Sequence, residues 1–75
     1  MITKDEAKAV IIESTKSYES GVHGSTAELL ILECPEFLDM VISTAQGVAD
    51  QFGHIDDAIA YASRVVALDY FDISI

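Results

Sequence analysis

Residues 35–53 read PEFLDMVISTAQGVADQFG, and whether they form one helix decides the fold of the chain. Pro35 suits a first helical position: its fixed φ is already helical, and the N–H it lacks would have no partner there. Glu36 beside it sits at the positive end of the helix dipole. From there Phe37, Val41, Thr44, Ala45, Val48 and Phe52 recur along one helical face, and Leu38, Ile42 and Ala49 widen it. Asp39, Ser43, Gln46 and Asp50 fall at helical intervals and leave only a narrow polar stripe. A helix so apolar on its other sides belongs at the centre of a bundle. Gly47 in its interior costs about 1 kcal/mol relative to alanine. It predicts a neighbouring helix approaching closely at that point, and Gly53 is the expected stop.

Toward the N-terminus the apolar run Leu29-Leu30-Ile31-Leu32 has no period that separates helix from strand. Ser25 with Glu28 has the spacing of a capping box, leucines dominate, and β-branched residues are few, so residues 26–33 read as helix. Pro35 ends or kinks this helix by disfavouring helical geometry at Cys34. Residues 20–25, SGVHGS, read as a flexible connection. Before them Thr3 with Glu6 forms another capping box. Ala7, Val10, Ile11, Thr15 and Tyr18 follow at helical spacing, so the first helix is expected over residues 4–20 with Gly21 as its stop.

Beyond Gly53, Asp56 or the pair Asp56-Asp57 is the expected cap of a last helix, with Ile55, Ile59, Ala62, Val66 and Tyr70 along one side. Val65 and Leu68 broaden that side. The period then changes: Phe71, Ile73 and Ile75 alternate with Asp72 and Ser74, the pattern of a half-buried strand or an extended docking tail. The whole is one acidic domain over residues 1–75. It is all-α, three or four short helices in a compact bundle, with a short extended C-terminal tail.

At 75 residues the chain is near the size at which one core suffices without help. A single cysteine, Cys34, excludes an internal disulfide framework and reads as a small buried hydrophobe. Half the chain (51%) is hydrophobic, more than so small a body readily buries, which points to surface shared with a second copy. A homo-oligomer, a homodimer first of all, is therefore expected. The N-terminus has no basic segment followed by an apolar run, and no apolar run is long enough for a bilayer, so a cytoplasmic protein is expected.

Charge is the most one-sided property. The net charge is −9, and residues 17–63 hold no Lys or Arg while containing Glu19, Glu28, Glu33, Glu36, Asp39, Asp50, Asp56 and Asp57. Such a field repels phosphate backbones and anionic membranes and attracts basic proteins. Direct nucleic-acid binding also needs a basic face, and the only basic residues are Lys4, Lys8, Lys16 and Arg64, against thirteen acidic ones. Neither nucleic acid nor membrane is expected as a partner.

Catalytic signals are sparse. There is no phosphate-cradling glycine loop, HExxH, GxSxG or EF-hand pattern. His54, Asp56 and Asp57 are dense enough to suggest a hard-metal site, but they also read as a linker residue followed by ordinary helix-start carboxylates. His23 lies between two glycines, and Cys34 with either histidine makes an incomplete zinc set. No cofactor, metal or enzymatic activity is expected.

What remains is a non-enzymatic protein-binding module, an inhibitor or regulator presenting an acidic face to a basic protein partner. Glu28, Glu33, Glu36, Asp39, Asp50, Asp56 and Asp57 are the candidate contacts. Ordered carboxylates of this kind can occupy a groove that otherwise holds nucleic acid, as DNA mimics do. Small acidic helical chains without enzymatic motifs are frequent among phage and mobile-element inhibitors and adaptors, an analogy of class that assigns no residues. The alternative is a helical self-assembly or adaptor module that binds through apolar contacts and is acidic for solubility. A small metal-dependent enzyme built on His54, Asp56 and Asp57 is the third reading.

Overall fold

Four helices follow one another: α1 Lys4–Lys16, α2 Gly21–Glu33, α3 Pro35–Val48 and α4 Ile55–Phe71, with a 3₁₀ turn at Ala49–Gln51. This computed structural model describes the backbone of residues 2–16 and 21–75, and the side chains of the same residues apart from 16 and 21–25. The all-α bundle read from the sequence is the fold observed.

The local signals explain most of the helix ends. The Glu6 amide donates to Thr3 Oγ1 at 3.1 Å, and the Thr3 hydroxyl donates to Glu6 Oε1 at 3.3 Å, so Thr3 caps α1 and its side chain pairs with Glu6 as the sequence suggests. Pro35 stands at the first position of α3, and Cys34 leaves helical geometry just before it, at φ −124° and ψ 83°. A single residue thus joins α2 to α3. Asp72 ends α4 in the left-handed region, at φ 56° and ψ 37°, a conformation that Asp adopts more readily than most residues. The Asp72 and Ile73 amides both donate to the Ala67 carbonyl, the latter at 2.9 Å.

α3 and α4 form the most extensive helix pair, α1 packs on all three other helices, and α2 meets α1 and α3. The ring of Phe37 at the start of α3 meets that of Phe71 at the end of α4, edge-on with centroids 5.7 Å apart. Phe52, just past α3, lies 5.4 Å from Tyr61 in the first half of α4. α3 and α4 are therefore an antiparallel hairpin held by an aromatic contact at each end. Phe37, Leu38, Val41 and Ala45 of α3 are buried against Ala58, Ile59, Ala62, Val66 and Ala67 of α4 and neighbours from α1 and α2. Asp39, Ser43, Gln46 and Asp50 are all exposed, as the polar stripe required.

Among the described residues two polar side chains are buried, and neither goes unpaired. Thr15 Oγ1 donates to the carbonyls of Ile11 and Ile12 at 3.0 Å, and Ser63 Oγ donates to the Ala60 carbonyl at 2.8 Å. Hydroxyls can be buried inside a helical bundle because the preceding turn supplies an acceptor.

Four local expectations are corrected. Residues 21–25 are helical rather than a connection, so Gly21 opens α2 instead of closing α1, and Ser25 lies inside α2 rather than capping it. Once a helix has nucleated, each added residue gains a hydrogen bond, which here outweighs glycine's poor propensity. Residues 17–20, where the first helix was expected to continue, lie outside the described residues. The N-cap of α4 is His54, in extended geometry and without a side-chain cap bond, so Asp56 and Asp57 are first-turn residues rather than caps. Gly47 meets no helix: a Cβ built there finds nothing within 4 Å. The fully buried small residues of α3 and α4 are instead alanines, Ala45, Ala58, Ala62 and Ala67.

The C-terminal alternation also finds its meaning. Phe71 stays in α4, and no strand occurs among the described residues. Ile73 is half-buried and Ile75 buried, while Asp72 and Ser74 are exposed, so the tail docks on the chain's own core.

Candidate partner-binding surface

All seven candidate carboxylates are exposed. The helix hairpin divides them between its two ends. α3 has 14 residues, so its termini are on the order of 20 Å apart. Glu33 closes α2 and Glu36 opens α3, on either side of the Cys34-Pro35 junction, and Asp39 lies one turn further along. Asp50 in the 3₁₀ turn and Asp56 and Asp57 in the first turn of α4 belong to the opposite end. Glu28 sits apart, beside a groove between α1 and α2 that it shares with Lys8, Ile12, Ile31 and Leu32.

At the Glu33–Glu36 end the hairpin adds carboxylates that the sequence reading left out. Phe71 reaches Phe37, so Asp69 and Asp72 at the end of α4 come to the same end of the molecule as Glu36. A signal for this was present. A link of a few residues between two long helices implies an antiparallel pair, which sets the end of the second beside the start of the first. Asp39 is partly neutralised, since its Oδ1 lies 3.5 Å from Lys4 Nζ. Both side chains are about two-thirds exposed, so solvent screens the pair and it contributes about 0–1 kcal/mol.

The two ends differ in how their charges relate to the helices. Glu36, Asp56 and Asp57 occupy first turns, where a negative charge stabilises the helix. Glu33, Asp69 and Asp72 lie at helix C-termini, where backbone carbonyls already point outward and a carboxylate is unfavourable by about 0.3–1 kcal/mol. No basic residue occupies the last turn of α2, α3 or α4. Stability accounts for the first set of charges and opposes the second.

At the other end, Glu13 joins Asp56 and Asp57 along an open groove of about 460 Å³ between α1 and α4, floored by Ala9, Val10 and Ala60. His54, Asp56 and Asp57 do not assemble a metal centre: among the described residues no three His, Cys, Asp or Glu side chains converge so as to hold an ion. The His23 side chain lies outside the described residues. Cys34 is a free, half-buried thiol packed at the edge of the core. No helix among the described residues is long and apolar enough to cross a membrane.

Apolar groups also reach the surface. Leu29 and Leu32 on α2 and Tyr61, Leu68 and Tyr70 on α4 are exposed large hydrophobics. Comparison with protein-family models, curated proteins and solved structures finds no match.

Proposed function

We propose that this chain is a non-enzymatic binding module, an inhibitor or regulator whose acidic end engages a basic partner protein. The observation that carries this reading is the placement of Glu33, Asp69 and Asp72 at helix C-termini, with no basic residue in those last turns. Solubility alone could be met by carboxylates anywhere on the surface, including the first turns where they also stabilise. Charges held against the dipoles of α2 and α4 instead concentrate negative potential at one end, where it steers a cationic surface into contact. The contacts proposed are Glu33, Glu36 and Asp39 from the original set, with Asp69 and Asp72 added. Mimicry of nucleic acid is the finer form of this reading, in which the partner's groove is one that otherwise holds phosphates.

The test is the triple variant Glu33→Gln/Asp69→Asn/Asp72→Asn. It should melt at a higher temperature than the parent and lose the basic proteins that the parent captures from a lysate at low salt. Unchanged capture with raised stability would show that these carboxylates serve no partner.

A second reading, self-assembly through apolar contacts, has its own observation. Tyr61, half-buried Val65 and Leu68 follow one another at helical spacing on the outer side of α4. Salt separates the two readings, because added salt weakens an acidic interface and leaves an apolar one intact. Light scattering over a concentration series in high salt would reveal a dimer built on α4.

A further inference from the structure

Helix α2 turns Ala27, Leu30 and Ile31 inward and leaves Glu28, Leu29, Leu32 and Glu33 outside. Leu29 is 54% exposed and Leu32 72%. At i and i+4 spacing each leucine is aligned with a carboxylate, Leu29 with Glu33 and Leu32 with Glu28. Each also borders a groove, and the two grooves differ in charge. The one toward α1 contains Lys8 and Glu28 beside Ile12, Ile31 and Leu32. The one toward the C-terminal tail is formed by Thr26, Leu29, Leu30, Glu33, Cys34, Phe71 and Ile73, and among the described residues Glu33 is the only charged one lining it.

Its volume is about 270 Å³, at the low end for a small-molecule site and suited to one or two anchoring apolar side chains. Asp72 stands exposed between Phe71 and Ile73, and Glu36 adjoins Phe37, whose ring packs on Phe71. The lining is therefore mostly apolar with Glu33 in it, and the exposed carboxylates of Glu36 and Asp72 belong to the same end of the molecule. We infer that this groove between α2 and the tail seats the apolar side of an amphipathic helix bearing Lys or Arg on its flanks, supplied by the basic partner. The inference rests on the acidic-end reading above and gives that partner a shape.

Charge complementarity selects this occupant over a second copy of the chain. α2 carries Glu28 and Glu33 and no Lys or Arg, so two copies meeting here would set carboxylate against carboxylate. A cationic helix meets the acidic end with opposite charge and places its own leucines or phenylalanines in the groove, the helix-in-groove mode of recognition. The groove toward α1 is disfavoured for the same ligand by Lys8.

The probe is a dye-labelled peptide of leucine and lysine with leucines at i, i+3, i+4 and i+7. It is compared by fluorescence anisotropy with a peptide of the same composition in scrambled order. Leu29→Ser and Leu32→Ser both alter exposed positions, so the fold should persist. The patterned peptide should bind, and the scrambled one should bind at least about tenfold more weakly. Leu29→Ser should weaken binding about fivefold to tenfold, the loss expected from removing a half-exposed leucine. Leu32→Ser should change it less than about twofold.

Equal binding of both peptides, lowered only by Glu33→Gln/Glu36→Gln/Asp72→Asn, overturns the groove and leaves the acidic end standing. Failure of both peptides to bind at low salt overturns the two together. A larger effect of Leu32→Ser than of Leu29→Ser moves the site toward α1 and overturns this assignment. A dimer that Leu29→Ser converts to monomer shows a second copy in the groove and overturns it as well.

Discussion

The α3–α4 hairpin contains a larger proportion of apolar residues than α2, and the two use them differently. In the hairpin Phe37, Leu38, Val41, Ile59 and Val66 are buried between helices, while Tyr61, Leu68 and Tyr70 remain exposed on the outer side of α4. In α2 only one side is covered, because its helical neighbours are α1 and α3 alone, and Leu29 and Leu32 stand in solvent beside Glu28 and Glu33. Hydrophobic content therefore says how much surface could be buried, and the number of neighbouring helices decides how much is. Among the described residues the exposed large apolar side chains are shared between α2 and α4.

The hairpin should be the part that breaks the fold. Phe37 is fully buried and packs edge-on against Phe71, so Phe37→Ala should destabilise by about 3–5 kcal/mol. That is a large share of a total on the order of 5–10 kcal/mol for a domain of this size. Leu32→Ala, which removes about half as many carbons from an exposed position on α2, should stay within about 0.5 kcal/mol of the parent. Urea unfolding of both variants measures the contrast directly, and equal effects would show that Leu32 is covered in solution.

A smaller effect tests what brings α3 and α4 together. Ala62 of α4 is fully buried in the core, so Ala62→Leu should overpack it and lower stability by about 1–3 kcal/mol. A neutral result would mean that the helices can separate without loss, and the hairpin would be no tighter than α2.

The smallest effect runs in the opposite direction. Gly47 is exposed, with nothing near its missing Cβ. Gly47→Ala should therefore stabilise, by up to about 1 kcal/mol. A loss of stability in a thermal melt would restore the close helix contact that the sequence suggested.

Much of this fold was legible from residue types that have one physical use in their place. Thr3 with Glu6, Pro35 after an apolar run, and the alternation over residues 71–75 each fixed a feature that the structure contains. Glycine was the weak point because it has two opposite uses. Gly47 was read as a packing contact and Gly21 as a stop, whereas one is a solvent-facing helix residue and the other opens a helix. The start of α4 was displaced to Asp56 because a carboxylate is the better cap. The chain instead leaves its extended link at His54 with no side-chain bond. At the candidate surface the exposure of all seven carboxylates was legible, since charges rarely bury unpaired. Their division between two ends was not, because it follows from the antiparallel return of α4, and that same return brings in Asp69 and Asp72.

The short link between α3 and α4 has a kinetic meaning. Loop-closure entropy grows with the length of chain to be closed, so contacts between segments adjacent in sequence form before distant ones. The Phe52–Tyr61 contact closes the smallest loop available to the hairpin, and the two helices can zip from there to Phe37 and Phe71. α2 is the neighbour in sequence of both helices it touches, α1 and α3, and a single residue joins it to α3. The contacts of α1 with α4 span the longest stretch of chain, so by the same rule they close last. The bundle is thus completed by the meeting of its first and last helices.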